Sequence, residues 1–224
     1  MSAGASTFPI GTATFTLAGP AGSIECASET PPPETARPCS AILCHPHPLQ
    51  GGAMTNKVVT TLARALRELG VATLRFNFRG VGASAGAFDD GTGETDDLLA
   101  VAAWLRAARP HDALWLGGFS FGSYVATRAS AQLPTRQLIT IAPAVTRCDF
   151  ATLSPPPCPW LIVQGEADEV VDPAAVYAFA ATRQPPPDLV RLADTGHFFH
   201  GRLVELRALV QEHVRANLPD TAPA

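Results

Sequence analysis

Apolar and polar residues alternate along FPIGTATFTLAG (8–19) and again along GSIECASE (22–29), with GPAG at the join. Such alternation puts successive side chains on opposite faces of an extended chain, so an N-terminal antiparallel pair is predicted. Beyond PPP (31–33) the texture changes: short apolar runs take turns with longer stretches of helical period. AILC (41–44) precedes a helix over 56–70, VATLRFNF (71–78) one over 95–108, and ALWLGG (113–118) one over 121–133. QLITIA (137–142) follows, then PWLIVQG (159–165) with a helix over 173–183, then DLVRLA (188–193) with a final helix over 204–218. Runs of this length that are apolar on both sides fit parallel strands covered by helices on both faces. The expected class is α/β, an open and mostly parallel sheet of about seven or eight strands. Ligands of such sheets sit beyond the carboxyl ends of the strands, so the residues following each strand are the ones to read.

Length and composition narrow the setting. A chain of 224 residues suits a single domain over 1–224, with fraying expected at the first few residues and at about 218–224. PPP recurs at 155–157 and 185–187, but the flanking segments differ, so these are loops and not repeats. Hydrophobic residues make up 46% and the net charge is -4, which offers no basic field for nucleic acid or an anionic membrane surface. The start has no signal-peptide pattern and no window reads as a membrane span, so a cytoplasmic protein with neither nucleic-acid nor membrane partners is expected. Cys26, Cys39, Cys44, Cys148 and Cys158 form an odd set without a CxxC pair, arguing against a disulfide framework and a zinc knuckle.

The strand ALWLG runs directly into GFSFG (118–122), and a helix begins directly after it. A serine on so tight a strand-to-helix turn stands clear of the sheet, and small neighbours let the chain bend. Ser120 is therefore the candidate nucleophile. Its hydroxyl needs a base, and that base needs an orienting carboxylate. On this scaffold the acid and then the histidine follow the serine in the chain. GEADEVVDP after a later strand offers Asp168; Asp172, before Pro173, looks like a helix N-cap and is the fallback, while Glu166 and Glu169 read as solvated loop charges. DTGHFFHG after the last strand offers His197, with His200 as its competitor.

These three elements resemble those of the α/β-hydrolase superfamily over nearly the whole chain after about residue 40, including NFRGVGAS (77–84), similar to an RGxGxS segment common there. HPHPLQGGAMTNKVV (45–59) resembles a small subgroup of bacterial-type serine hydrolases with an HPHP segment at the oxyanion loop. The resemblance implies a serine hydrolase that passes through an acyl-enzyme and stabilises an oxyanion with two backbone N–H groups. One donor would be Phe121. Pro46 and Pro48 have no N–H, so the other would come from His47 or Leu49, and the sequence leaves both open. Only PAVTRCDFATLSPPPCP separates ITIA from WLIV, too little for a substantial lid.

An open site suits small or soluble carboxylic esters, with Arg79, Phe88 and Phe150 among the loop residues that would shape it. The same three residues would also serve a thioesterase or an amidase. Two further readings stand beside these. His45, His47, His197 and His200 could be metal ligands, although no HExxH helix exists and GFSFG would be left without a purpose; or the fold binds a ligand without turnover. No cofactor and no metal are expected, and oligomeric state is not legible.

Overall fold

A computed structural model describes residues 7–221. Among these, eight strands form one sheet in the order β1-β2-β4-β3-β5-β6-β7-β8. They are β1 (Thr12–Gly19), β2 (Gly22–Glu29), β3 (Cys39–Cys44), β4 (Ala72–Phe76), β5 (Ala113–Phe119), β6 (Thr135–Ile141), β7 (Trp160–Gly165) and β8 (Asp188–Leu192). β1 pairs antiparallel with β2 through a tight turn at Pro20–Ala21, and β2 pairs antiparallel with β4. The pairings from β4 through β3 and β5 to β8 are parallel. The α/β class, the antiparallel N-terminal pair and the mostly parallel sheet are thus as the hydrophobic pattern predicts.

Helices α1 (Lys57–Glu68) and α5 (Leu203–Val214) cover one face; α2 (Thr92–Ala108), α3 (Phe121–Ser130) and α4 (Pro173–Ala181) cover the other. The period of two sorts the strand residues between them. Ile42, Leu116, Leu138 and Ile162 meet α2, α3 and α4, whereas Leu43, Trp115, Ile139 and Val163 meet α1 and α5. Both sets are buried, which is why the central strands read as unbroken apolar runs.

Some boundaries move, each for a local reason. β4 stops at Phe76, not at 78: the Asn77 N–H still donates to the Glu25 carbonyl of β2 at 2.9 Å, but the Phe78 N–H turns away from the ladder. Asn77 Oδ1 accepts from the Met54 N–H at 2.8 Å, and the Phe78 N–H donates to His45 Nε2 at 3.0 Å. α2 begins at Thr92, three residues before the reading from sequence, since buried Glu94 accepts from the N–H groups of Asp89 and Gly91 and closes the first turn. The strand over 8–19 begins only at Thr12. At the other end, Leu218 packs on the α1/α5 side and the Pro219 carbonyl accepts from Arg37, so this part of the tail is held; the remaining fraying expectation falls mostly on residues outside those described.

Between β6 and β7 the chain forms a single 3-10 turn, Phe150–Thr152, and no lid. The carboxyl ends of β3, β5, β7 and β8 therefore open onto one uncovered side of the sheet.

Candidate active site

β5 delivers Ser120 and α3 carries the chain away from it. Ser120 has φ 54° and ψ -117°, a conformation that L-residues rarely hold unless the surroundings fix it. Its N–H donates to the Ile141 carbonyl at 2.9 Å, and the flanking glycines leave no space for side chains. A Cβ on Gly118 would lie 2.2 Å from the Gly122 carbonyl oxygen, and one on Gly122 would lie 2.5 Å from those of Cys44 and His45. The GxSxG spacing thus answers to contact as well as to bending: the start of α3 sits hard against the end of β3.

His197, on the loop after β8, reaches Ser120 across the sheet edge. Its Nε2 is 3.1 Å from Ser120 Oγ, and its Nδ1 is 2.8 Å from Asp168 Oδ2. An ionised carboxylate only accepts, so Nδ1 carries the proton and Nε2 is free to accept from the serine hydroxyl. Asp168, on the loop after β7, accepts on Oδ1 from the N–H groups of Val170 and Val171, both at 2.8 Å, and on Oδ2 also from Gln164 Nε2 at 2.9 Å. Burial works to raise its pKa, but the bonds from His197, Val171 and Val170 outweigh that, and the carboxyl is held below its usual range. The Phe119 ring lies 4.9 Å from the imidazole of His197 and the Phe198 ring meets it edge-on at 5.1 Å.

The two histidines of HPHP behave differently. His45 is fully buried: Nδ1 is 2.7 Å from the Pro46 carbonyl oxygen, Nε2 accepts from Phe78, and burial lowers its pKa to about 4. Both of its ring nitrogens are committed to backbone. His47 lines the cleft, its ring between those of Phe88 at 4.8 Å and Phe121 at 5.1 Å. Its Nδ1 accepts from the Leu49 N–H at 3.2 Å, and Leu49 itself is 72% exposed and forms no part of the cleft wall. Among the described residues, neither the His47 N–H nor the Phe121 N–H donates a hydrogen bond.

A cleft of about 690 Å³ opens over Ser120 and His197. Phe121, Tyr124, Phe88, Ala144 and Val170 give it apolar walls, while Asp90, Arg147 and Asp149 are its exposed charged lining. Of the loop residues expected to shape it, Phe88 does. Arg79 does not line it and is held by Asp97 through two bonds of 2.8 and 2.9 Å; Phe150 is buried against Tyr124.

The remaining candidates lie elsewhere. Asp172 caps α4, accepting from the Ala174 N–H, and His200 is exposed beside Phe198. Glu169 is more than a solvated charge, since its Oε2 accepts from the His197 N–H at 3.1 Å and ties the acid loop to the histidine loop. Gln164 is the other participant missed; the only signal was an amide in an otherwise apolar strand. Among the described residues, no group of three or more His, Cys, Asp and Glu is placed to hold a metal ion, and no helix is long and apolar enough to cross a membrane. The five cysteines are free, and burial pushes the thiol of Cys148, in the cleft wall, up to about 11.

This elbow, on this strand order, defines a class. The chain belongs to the α/β-hydrolase fold family and, within it, to the serine hydrolases without a lid. Residues 49–157 match the family described as the alpha/beta hydrolase fold. A lidless α/β serine hydrolase of Xanthomonas campestris is 54% identical, with a TM-score of 0.93 over 96% of this chain and 99% of that one. An α/β serine hydrolase homologue of Coxiella burnetii is 45% identical, with a TM-score of 0.90 over 93% and 100%. An uncharacterised protein of Rickettsia prowazekii is 40% identical over 136 residues, which span 58% of this chain and 57% of that protein.

Proposed function

We propose that this protein hydrolyses small carboxylic esters with Ser120 as nucleophile, His197 as general base and acid, and Asp168 as the orienting carboxylate. The observation that carries the reading is the unbroken chain of hydrogen bonds from Asp168 through His197 to Ser120 at the floor of the cleft. Ser120 Oγ attacks the ester carbonyl carbon while its proton passes to His197 Nε2, and Asp168 balances the imidazolium that forms. The tetrahedral intermediate collapses as the alkoxide leaves with that proton, and an acyl group stays on Ser120. Water then repeats the sequence, giving up a proton to His197 and releasing the carboxylic acid with Ser120 restored.

The negative oxygen of both intermediates is stabilised by the N–H groups of Phe121 and His47. Both donors are unspent, and His47 is favoured over Leu49 because the Leu49 N–H is already engaged by the His47 ring. Donors of this kind are each worth about 3–4 kcal/mol of transition-state stabilisation.

The test is hydrolysis of a small activated aryl acetate together with labelling by a fluorophosphonate probe. Ser120→Ala and His197→Ala lose at least about a thousandfold in kcat, following the behaviour of such triads, while His200→Ala keeps most of the rate. Absence of label on Ser120 in the folded protein refutes the nucleophile assignment, and a His200→Ala variant as inactive as Ser120→Ala refutes the base.

A further inference from the structure

The imidazole of His47 has no part in the steps above, yet its hydrogen bonding follows a definite pattern. Among the described residues, three helical N-caps accept on the side chain from the backbone N–H two positions on: His47 from Leu49, Asn56 from Val58, and Asp172 from Ala174, at 3.2, 2.9 and 3.0 Å. Their backbones are nearly superposable, with φ and ψ of -53° and 121°, -52° and 138°, and -55° and 115°. His47 and Asp172 also share a proline in the position that follows. The chemistry explains the equivalence: Nδ1 of histidine stands two bonds from Cβ, as Oδ1 does in Asn and Asp, so an unprotonated Nδ1 caps as those oxygens do.

The consequence for the backbone is specific. The His47 carbonyl accepts from the N–H groups of both Gln50 and Gly52, each at 3.1 Å, while its ring accepts from Leu49. Three bonds thus fix the peptide on the C-terminal side of His47. On its N-terminal side, the Pro46 carbonyl is held by His45 Nδ1 at 2.7 Å. Between these fastenings lies the one N–H left without an acceptor, that of His47, at the cleft wall beside Phe121. Burial, with Arg147, keeps the His47 pKa below its ordinary value against the opposing pull of Asp90 and Glu94, which favours the neutral ring, and the bond from the Leu49 N–H selects the tautomer whose Nδ1 is unprotonated.

We propose that the His47 side chain is a positioning residue: as the N-cap of the Pro48–Gln50 turn it aims its own backbone N–H at the oxyanion. This rests on the ester-hydrolase reading and adds to it a role for the second histidine of HPHP that requires an acceptor at Nδ1, not a base, a metal ligand or a ring.

Three variants separate those requirements. His47→Phe keeps a ring between Phe88 and Phe121 but has no acceptor, His47→Ala has neither, and His47→Asn restores the acceptor without the ring. All keep a backbone N–H at position 47. With a small aryl acetate, the Phe and Ala variants are expected to lose at least about tenfold in kcat with KM within about twofold, since a misaimed donor weakens the transition state and not the ground state. The Asn variant is expected to stay within about threefold of the unaltered protein. A Phe variant as fast as the unaltered protein, or an Asn variant as slow as Ala, overturns the assignment while leaving the hydrolase reading intact. An unaltered protein that neither turns over the ester nor takes label at Ser120 overturns both.

Discussion

A neutral imidazole can join two stretches of backbone, and His45 does so where β3 and β4 end. It donates through Nδ1 to the Pro46 carbonyl and accepts through Nε2 from Phe78, thirty-three residues away in the chain. Protonation would turn the acceptor into a donor facing an N–H, so folding selects the neutral form, and burial moves the pKa from an ordinary 6.5 to about 4. The stability this provides is complete above about pH 6.5, where the unfolded chain is also neutral, and is lost as pH falls toward 4 because only the unfolded chain takes the proton. Between pH 7 and pH 4.5 His45 therefore removes about 2 kcal/mol of unfolding free energy. His45→Gln cannot titrate. Urea unfolding at the two pH values is expected to show a decline smaller by that amount in the variant, and equal declines would mean that His45 is not the neutral fastener described. This role could not be read from HPHP, since its partner is set by sheet order and not by sequence spacing. The same holds for Glu169, whose bond to the His197 N–H joins loops that only the β7–β8 pairing brings together.

At the scale of elements, what the sequence made legible was periodic or punctual. Unbroken apolar runs marked β3, β5, β6 and β7 as strands buried on both faces, and GFSFG marked the β5–α3 junction because such a bend leaves few residue choices. Ends set by non-local contacts were not legible, as with β4, where the Phe78 N–H leaves the ladder for the ring of His45. The β5–α3 junction also allows a test whose sign depends on which effect dominates. Replacing glycine by alanine within a helix ordinarily gains about 1 kcal/mol. At Gly122 the added Cβ would lie 2.5 Å from the carbonyl oxygens of Cys44 and His45, and a contact with backbone at that distance is relieved only if α3 moves off β3. Gly122→Ala is thus expected to lose about 1–3 kcal/mol of stability, as overpacked sites do. It should also slow ester hydrolysis at least tenfold, since Ser120 moves with the helix. A variant as stable and as fast as the unaltered protein would mean that the close approach does not constrain the junction.

For the molecule as a whole, the short β6–β7 connection decides how much of a substrate is covered. An acyl chain gains about 0.8 kcal/mol per methylene, or nearly fourfold in kcat/KM, only while protein surface removes that methylene from water. Here the apolar part of the cleft lining is Phe88, Phe121, Tyr124, Ala144 and Val170, and the charged side chains of Asp90, Arg147 and Asp149 share the wall with it. Five apolar side chains are enough to shield a short acyl group. A longer one must either pass charged groups that lose hydration without gaining partners, or extend into solvent where further methylenes gain nothing. Across a series of aryl esters from acetate to laurate, kcat/KM is expected to rise over the first few carbons and level or fall beyond about six. Nor should the rate jump when a substrate passes its solubility limit, because there is no lid for an interface to open. A rise of about fourfold per methylene sustained to laurate would require a covered apolar channel, and would show that this cleft closes around substrate in a way that the chain between β6 and β7 is too short to provide.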